Sequence, residues 1–317
     1  MKREIEILVN KSEITAGTRG SSLGPEALMV VSRDRNSDFF SRHAVTHIED
    51  MNHVLDTSIK FENAKRIEAL VQVFQNVNDS VKSTIESGKF PLILAADHGS
   101  AGGTLAGIKS ANPDKRLGVI WIDAHADIHT PYTTPSGNMH GMPLATALNE
   151  DNLESKSNEI SDSVKENWER LKNTGIPGAK VSPEDVIYIA VRDTEEQEEA
   201  IMQKLKIHNF KVEDVRSEGP EEIVRQSLDK LKDCDMIYVS FDVDSMDPSH
   251  TSHGTGTPVG NGLMPEEAQI FLTQFAKEEK LVCLEFVEIN PCLDEKKNFM
   301  AEVAFDLLEA TTEELEK

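Results

Sequence analysis

The residues best equipped for chemistry sit where apolar runs end. Val119-Ile120-Trp121-Ile122 leads into Asp123-Ala124-His125-Ala126-Asp127, and Ile237-Tyr238-Val239 leads to Asp242 and Asp244. A third run, Pro91-Leu92-Ile93-Leu94-Ala95-Ala96-Asp97, closes on His98. Side chains at i, i+2 and i+4 of an extended segment point to one side. Each exit therefore offers its acids and imidazoles on one face. Crowding unpaired carboxylates is costly unless cations neutralise them. Asp247 lies just beyond, in an Asp-Pro pair that serves a turn rather than a ligand set.

Apolar runs without polar alternation read as strands of a parallel sheet covered on both faces. In a doubly wound sheet the carboxyl ends of such strands open onto one crevice. His98, Asp123, His125, Asp127, Asp242 and Asp244 then meet at one place. Their four carboxylates balance two divalent cations. An oxygen-rich set with two imidazoles and no thiolate points to Mn²⁺ or a similar ion rather than structural Zn²⁺. Two such ions about 3.5–4 Å apart share bridging carboxylates and bring the pKa of a water from ~15.7 toward ~7.

Alternating elements supply the frame. Ile5–Val9, Ala44–Ile48, Asp185–Ala190, a short stretch near Phe210-Lys211-Val212, and Leu281–Val287 read as further strands. Ile67, Leu70, Val71, Phe74, Val77, Val81 and Ile85 recur at helical spacing between Asn63 and Ser87. Gly17–Pro25 is a glycine-rich loop before a helix, without the Gly-Lys-Ser/Thr of a phosphate loop. Helices are expected from Gly99 to Lys109, over 198–206 and 220–232, from Pro265, and from Ala301 to Leu308. Asn149–Pro183 reads as a surface excursion with one helical segment around Val164, Trp168 and Leu171. The sum is a single-domain three-layer α/β/α sandwich over 1–317, with a mostly parallel central sheet of about eight strands.

Composition narrows the class. The 317 residues contain no low-complexity linker, and the net charge of −23 disfavours nucleic acid or an anionic membrane as partner. Cys234, Cys283 and Cys292 have no metal or disulfide spacing, which fits a reducing compartment. The N-terminal MKREIEILVN lacks the apolar core of a signal peptide, and no apolar run is long enough to cross a membrane. A cytoplasmic protein is expected.

The motifs also carry a family resemblance. DAHAD, SFDVDSMDP and the strand-end Asp-His resemble the ureohydrolase signatures, and TTPSGNMHG resembles the arginase version of them. The likeness runs from GTRGSSLGPEAL to EFVEINP. It implies an arginase/deacetylase-like fold and two Mn²⁺ per subunit. His98, Asp123, Asp127 and Asp242 would hold one ion, and Asp123, His125, Asp242 and Asp244 the other. It further implies hydrolysis of L-arginine to L-ornithine and urea by a hydroxide bridging the metals. A homo-oligomer, trimeric or hexameric, is implied as well.

The same resemblance assigns the substrate-facing residues. Glu288, at the exit of the last strand, would face the guanidinium, since a carboxylate pairs well with that planar fork. Asp193, Glu195 and Glu198 match positions that read the α-amino group, and His129, Thr134 and Ser136 match positions that read the α-carboxylate. Thr257 would lie beside the guanidinium. Asp127 would assist proton transfer, and His140 suits a proton shuttle because imidazole titrates near neutrality. Two positions depart from the arginase pattern: His129 stands where Asn is usual, and Ala95-Ala96 where Gly-Gly is usual. The alternative reading is an agmatinase or another guanidino-compound hydrolase.

Overall fold

The computed structural model of the protein describes residues 3–317. Met1 and Lys2, which open the charged N-terminal stretch, lie outside the described residues. Eight parallel strands form one sheet: β1 (Ile5–Asn10), β2 (Ala44–Ile48), β3 (Phe90–Ala95), β4 (Leu117–Ile122), β5 (Val186–Ile189), β6 (His208–Phe210), β7 (Met236–Asp242) and β8 (Leu281–Val287). Their order is β2-β1-β3-β8-β7-β4-β5-β6. The four strands that end in candidate site residues, β3, β8, β7 and β4, are adjacent at the centre. Every residue of β3, β4 and β7 is buried, as uninterrupted apolar runs require when helices cover both faces.

Two apolar layers sandwich the sheet. One joins Val31, Phe39, Phe271, Phe275 and Phe305 to one face, and the other joins Phe74, Val77, Trp121, Trp168 and Tyr188 to the opposite face. The first layer is supplied mainly by α1 (Gly24–Asp34), α2 (Phe39–Arg42), α8 (Val212–Glu218), α9 (Pro220–Lys230), α10 (Pro265–Ala276) and α11 (Phe299–Leu315). The second comes from α3 (Ile67–Glu86), α4 (Ala101–Ala111), α5 (Pro143–Leu148), α6 (Asp162–Lys172) and α7 (Glu196–Leu205). The fold is thus the α/β/α sandwich expected from the alternation of runs. None of the described helices is long and apolar enough to cross a membrane.

Several boundaries differ from the sequence reading for local reasons. The strand near Phe210 ends there, because Asp214 Oδ2 accepts from Lys211 N at 2.8 Å and starts α8 at Val212. The last helix continues past Leu308 to Leu315, which is itself buried. Thr311 and Thr312 are accommodated inside it because their hydroxyls donate back to Leu307 O and Leu308 O. The excursion from Asn149 is more than a surface feature. Trp168 on α6 is 1 % exposed, packs toward α3 and α5, and donates Nε1–H to Asp151 Oδ1. The glycines of α4 serve a helix contact: Gly102, Gly103 and Gly107 face Phe74, Val77 and Val81 of α3 at distances that leave no room for a Cβ.

Candidate metal centre and active site

The central strand exits build the floor of one cavity. His98 Nδ1 lies 2.9 Å from Asp123 Oδ2, 3.1 Å from Asp127 Oδ2 and 3.2 Å from Asp242 Oδ2. None of these approaches is an aligned hydrogen bond, and Nδ1 is buried without a partner. Nε2 lies 2.7 Å from Ser240 Oγ, and the ring stacks on Trp121 with centroids 4.0 Å apart and planes 5° from parallel. With Nε2 engaged by Ser240, Nδ1 is the nitrogen turned toward three carboxylate oxygens. A proton can balance that charge in part. Burial opposes the imidazolium, but contacts with Asp123, Asp127 and Asp242 outweigh it and raise the pKa of His98 well above its usual range. One proton cannot align with three oxygens, whereas a cation at their centre can meet all four atoms. The donor set fits a metal ion.

A second cluster shares Asp123. His125 Nδ1 lies 3.0 Å from Asp244 Oδ2 and 3.5 Å from Asp123 Oδ1. Asp123 therefore turns one oxygen to each histidine. The carboxylates are aimed by donors behind them. Trp121 Nε1–H donates to Asp123 Oδ2 at 2.9 Å, His125 N–H to Asp123 Oδ1 at 2.7 Å, Asp244 N–H to Asp242 Oδ1 at 2.8 Å, and the Thr257 hydroxyl to Asp244 Oδ2 at 3.0 Å. Burial, then repulsion from Asp244 and Asp123, pushes Asp242 well above the usual carboxylate range. Such crowding of buried acids is what divalent cations relieve.

Glu288 enters from β8 with φ 68°, and Asp127 turns away from the strand with φ 52°. Left-handed backbone at two non-glycine residues beside one cavity is strain of the kind that collects at functional sites. Glu288 Oε1 accepts from His98 N–H at 3.0 Å and lies 3.4 Å from His140 Nδ1. Burial of His140 disfavours its charge, yet Glu288, then Asp127 and Asp97, raise its pKa above the usual imidazole value.

The rim of the cavity is made of turns and a helix start. Thr134 Oγ1 accepts from Gly137 N–H at 2.9 Å and Ser136 Oγ from Asn138 N–H at 3.2 Å, which leaves both hydroxyl hydrogens free to donate. Gly137 makes this turn: its φ is 74°, and a Cβ would sit 1.6 Å from Glu62 O. Glu195 and Glu198 cap α7, with Glu195 N–H donating to Glu198 Oε2 at 3.2 Å. The hydrogen bond from His129 is the main cause that brings the Glu195 carboxyl down to about 2. Glu198, 3 % exposed, is raised well above the carboxylate range by burial and then by Glu195. Asp193 Oδ2 stands 3.6 Å from His125 Nε2.

The cavity holds about 280 Å³ and is lined by His98, His125, Asp127, His129, Thr134, Ser136, His140, Asp193, Glu195, Glu198, Asp242, Asp244, Thr257 and Glu288. Asp123, fully buried, lies behind it. All the candidate residues are thus brought together. The volume lies below the roughly 300–1,000 Å³ of drug-sized ligand sites and suits a small metabolite. Asp247 makes a turn as expected, accepting from Ser249 N–H and Gly262 N–H.

Further residues support the site from behind. Trp121 was readable, because it sits two residues before Asp123 and so on the same side of β4. Ser240 had the same relation to Asp242 in β7. Arg192 carried no such signal. Its guanidinium donates to the carbonyls of Ala190, Asp244, Ser245, Val259 and Gly260, tying the β5 and β7 exits to the Thr257 loop. Tyr188 likewise donates to Ala126 O at 2.7 Å and braces the β4 exit from β5.

Comparison with known proteins agrees with this geometry. A sequence profile of the Arginase family matches residues 5–312. An arginase of Brevibacillus brevis is 32 % identical over 316 residues, covering 97 % of each chain. The crystal structure of Bacillus caldovelox arginase superposes with a TM-score of 0.81 at 30 % identity, covering 98 % of both chains. That of Entamoeba histolytica arginase in complex with L-ornithine gives 0.83 at 27 % identity, covering 98 % of this chain and 99 % of the other. With a family profile spanning nearly its whole length and arginases matching it end to end, the chain is a hydrolase of the arginase family.

Proposed function

We propose that the protein, acting as one catalytic domain over 1–317, hydrolyses L-arginine to L-ornithine and urea with two Mn²⁺ per chain. The observation that carries the reading is the buried Nδ1 of His98, facing three carboxylate oxygens with no hydrogen-bond partner. His98, Asp123, Asp127 and Asp242 would hold one ion, and Asp123, His125, Asp242 and Asp244 the other. When bound, the pair would supply an acidified water as nucleophile and an electrophilic pull on the substrate.

The remaining work falls to the chain itself. Glu288 Oε1 is engaged by His98 N–H, so Oε2 is the oxygen left to hold the guanidinium. The Thr257 hydroxyl, fixed on Asp244, closes the wall beside it. Asp127 takes up and returns a proton during attack on the guanidinium carbon, and His140 passes a proton toward the leaving amine. Thr134 and Ser136 donate their free hydroxyl hydrogens to the α-carboxylate. Asp193 and Glu195, with the buried Glu198 behind them, present negative charge to the α-amino group. The solved Entamoeba relative was crystallised with L-ornithine, an α-amino acid that these two groups of residues suit. We further place the protein in the cytoplasm as a trimer or hexamer, consistent with three unbridged cysteines.

The test is urea release from L-arginine by purified protein, with Mn²⁺, after chelation, and with agmatine in parallel. Metal-dependent urea from L-arginine and little from agmatine is expected. The reverse preference would favour an agmatinase and remove the carboxylate role from Thr134 and Ser136. No urea from either would overturn the proposal.

A further inference from the structure

His129 is 6 % exposed and lines the cavity, yet neither of its ring nitrogens is free. Nδ1 lies 3.0 Å from Thr133 Oγ1, and Nε2 lies 2.9 Å from Glu195 Oε2. Thr133 Oγ1 already accepts from Thr130 N–H at 3.0 Å, and its distance to Thr130 O is a longer 3.5 Å. Its hydrogen is therefore directed at Nδ1, and the Nε2–H of the same ring donates to Glu195. The contrast with His98 is direct, since there one nitrogen is left without a partner among carboxylates. The trio of His129, Glu195 and Glu198 is compact enough for a metal ion, but here the imidazole is already satisfied by hydrogen bonds.

We infer that His129 is a strut rather than a substrate contact: it ties Glu195 to the Thr133–Ser136 turn and sets the spacing between the groups facing the two ends of an α-amino acid. The inference rests on the L-arginine reading above. Without the strut, the Glu195 side chain, 53 % exposed, is left with only its capping contact to Glu198 at the start of α7. At the other end, Thr133 N–H and Thr134 N–H both donate to Thr130 O at 3.0 Å, so the strut bears on the turn that carries Thr134. His129 is thus a positioning residue for recognition. It predicts a KM effect for substrates with both α-substituents and little effect on kcat.

The test combines a spectrum of the protein loaded with diamagnetic Zn²⁺, since Mn²⁺ would broaden ring resonances this close, with kinetics of the Mn²⁺-loaded protein. The first is the ¹⁵N spectrum of the His129 ring in the wild type, which needs no variant. The Nε2–H tautomer is expected, with a resonance that moves in Glu195→Gln. The second is a kinetic cycle of His129→Ala, Glu195→Ala and the double variant, at equal metal content. His129→Ala should raise KM for L-arginine about tenfold with kcat within about twofold. In the Glu195→Ala background, where no side-chain acceptor remains for Nε2–H, the same change should alter KM by less than about twofold, because the two residues act through one contact. An Nδ1–H tautomer, or KM effects that multiply independently, would overturn the strut. If the wild type releases no urea from L-arginine, the proposed function fails. The tautomer and its response to Glu195→Gln still decide the strut in that case.

Discussion

The floor and the rim of this cavity are built on opposite principles. The floor consists of side chains at the ends of central strands, buried, strained at Asp127 and Glu288, and short of hydrogen-bond partners at His98. The rim consists of turns and the start of α7, where Thr134, Ser136, His129 and Glu195 are each held in place by a hydrogen bond from a neighbouring protein group. A polar cluster left unsatisfied in a buried place is costly to keep and needs a partner from outside. A satisfied cluster keeps its shape alone. On the proposed function, the floor is organised around metal ions and the rim around the geometry of a substrate.

That difference orders the expected effects of mutation. Asp123→Ala should reduce activity most. It removes the one carboxylate that faces both histidines, so loss well beyond the roughly 10–100-fold typical of changes behind a ligand is expected, together with loss of metal by elemental analysis. Activity within tenfold of wild type would erase the distinction between floor and rim. Ser240→Ala should weaken metal affinity by about 10–100-fold, because it releases the imidazole orientation of His98 without touching a ligand. Unchanged affinity would place the tautomer of His98 under other control.

On the rim, Thr134→Ala should cost about 1.5–3 kcal/mol, the usual worth of a hydrogen bond to a charged group, in kcat/KM for L-arginine. Turnover of agmatine, which lacks the carboxylate, should stay the same. Equal losses on both substrates would show that the turn serves the fold rather than the ligand.

The smallest effect concerns protons. Coulombic and hydrogen-bonding carboxylates raise His98 and His125 against the opposing effect of burial, so the metal-free site carries protons that a cation must displace. Metal binding should then release protons, and affinity should rise with pH through the range in which these imidazoles titrate. Calorimetry in buffers of differing ionisation enthalpy measures the release. Proton uptake on binding would contradict the sign.

The same contrast explains what could be read from the chain. The floor was readable because period-two spacing in an apolar strand fixes direction, so Asp123, His125 and Asp127, or Asp242 and Asp244, imply a shared face before any fold is known. The order of the central strands was not, since nothing local says that β8 inserts between β3 and β7. The rim was identified through family resemblance alone. The structure explains why: Thr134 depends on the left-handed Gly137, and His129 meets Glu195 across 66 positions of sequence. Arg192 shows the limit most clearly, because its guanidinium is spent on backbone carbonyls that no side-chain pattern announces. The closing helix runs beyond the expected Leu308, and the hydroxyls of Thr311 and Thr312 bond within it.

On the proposed function the floor takes up two ions per chain. Equilibrium titration of chelator-stripped protein with Mn²⁺, followed by stoichiometry and thermal midpoint, tests it most directly. Two ions per chain and a rise in midpoint are expected, since a ligand at about 100 times its Kd adds roughly 2.7 kcal/mol to the folded state. Binding of fewer than two ions, or no change in midpoint at saturation, would contradict it.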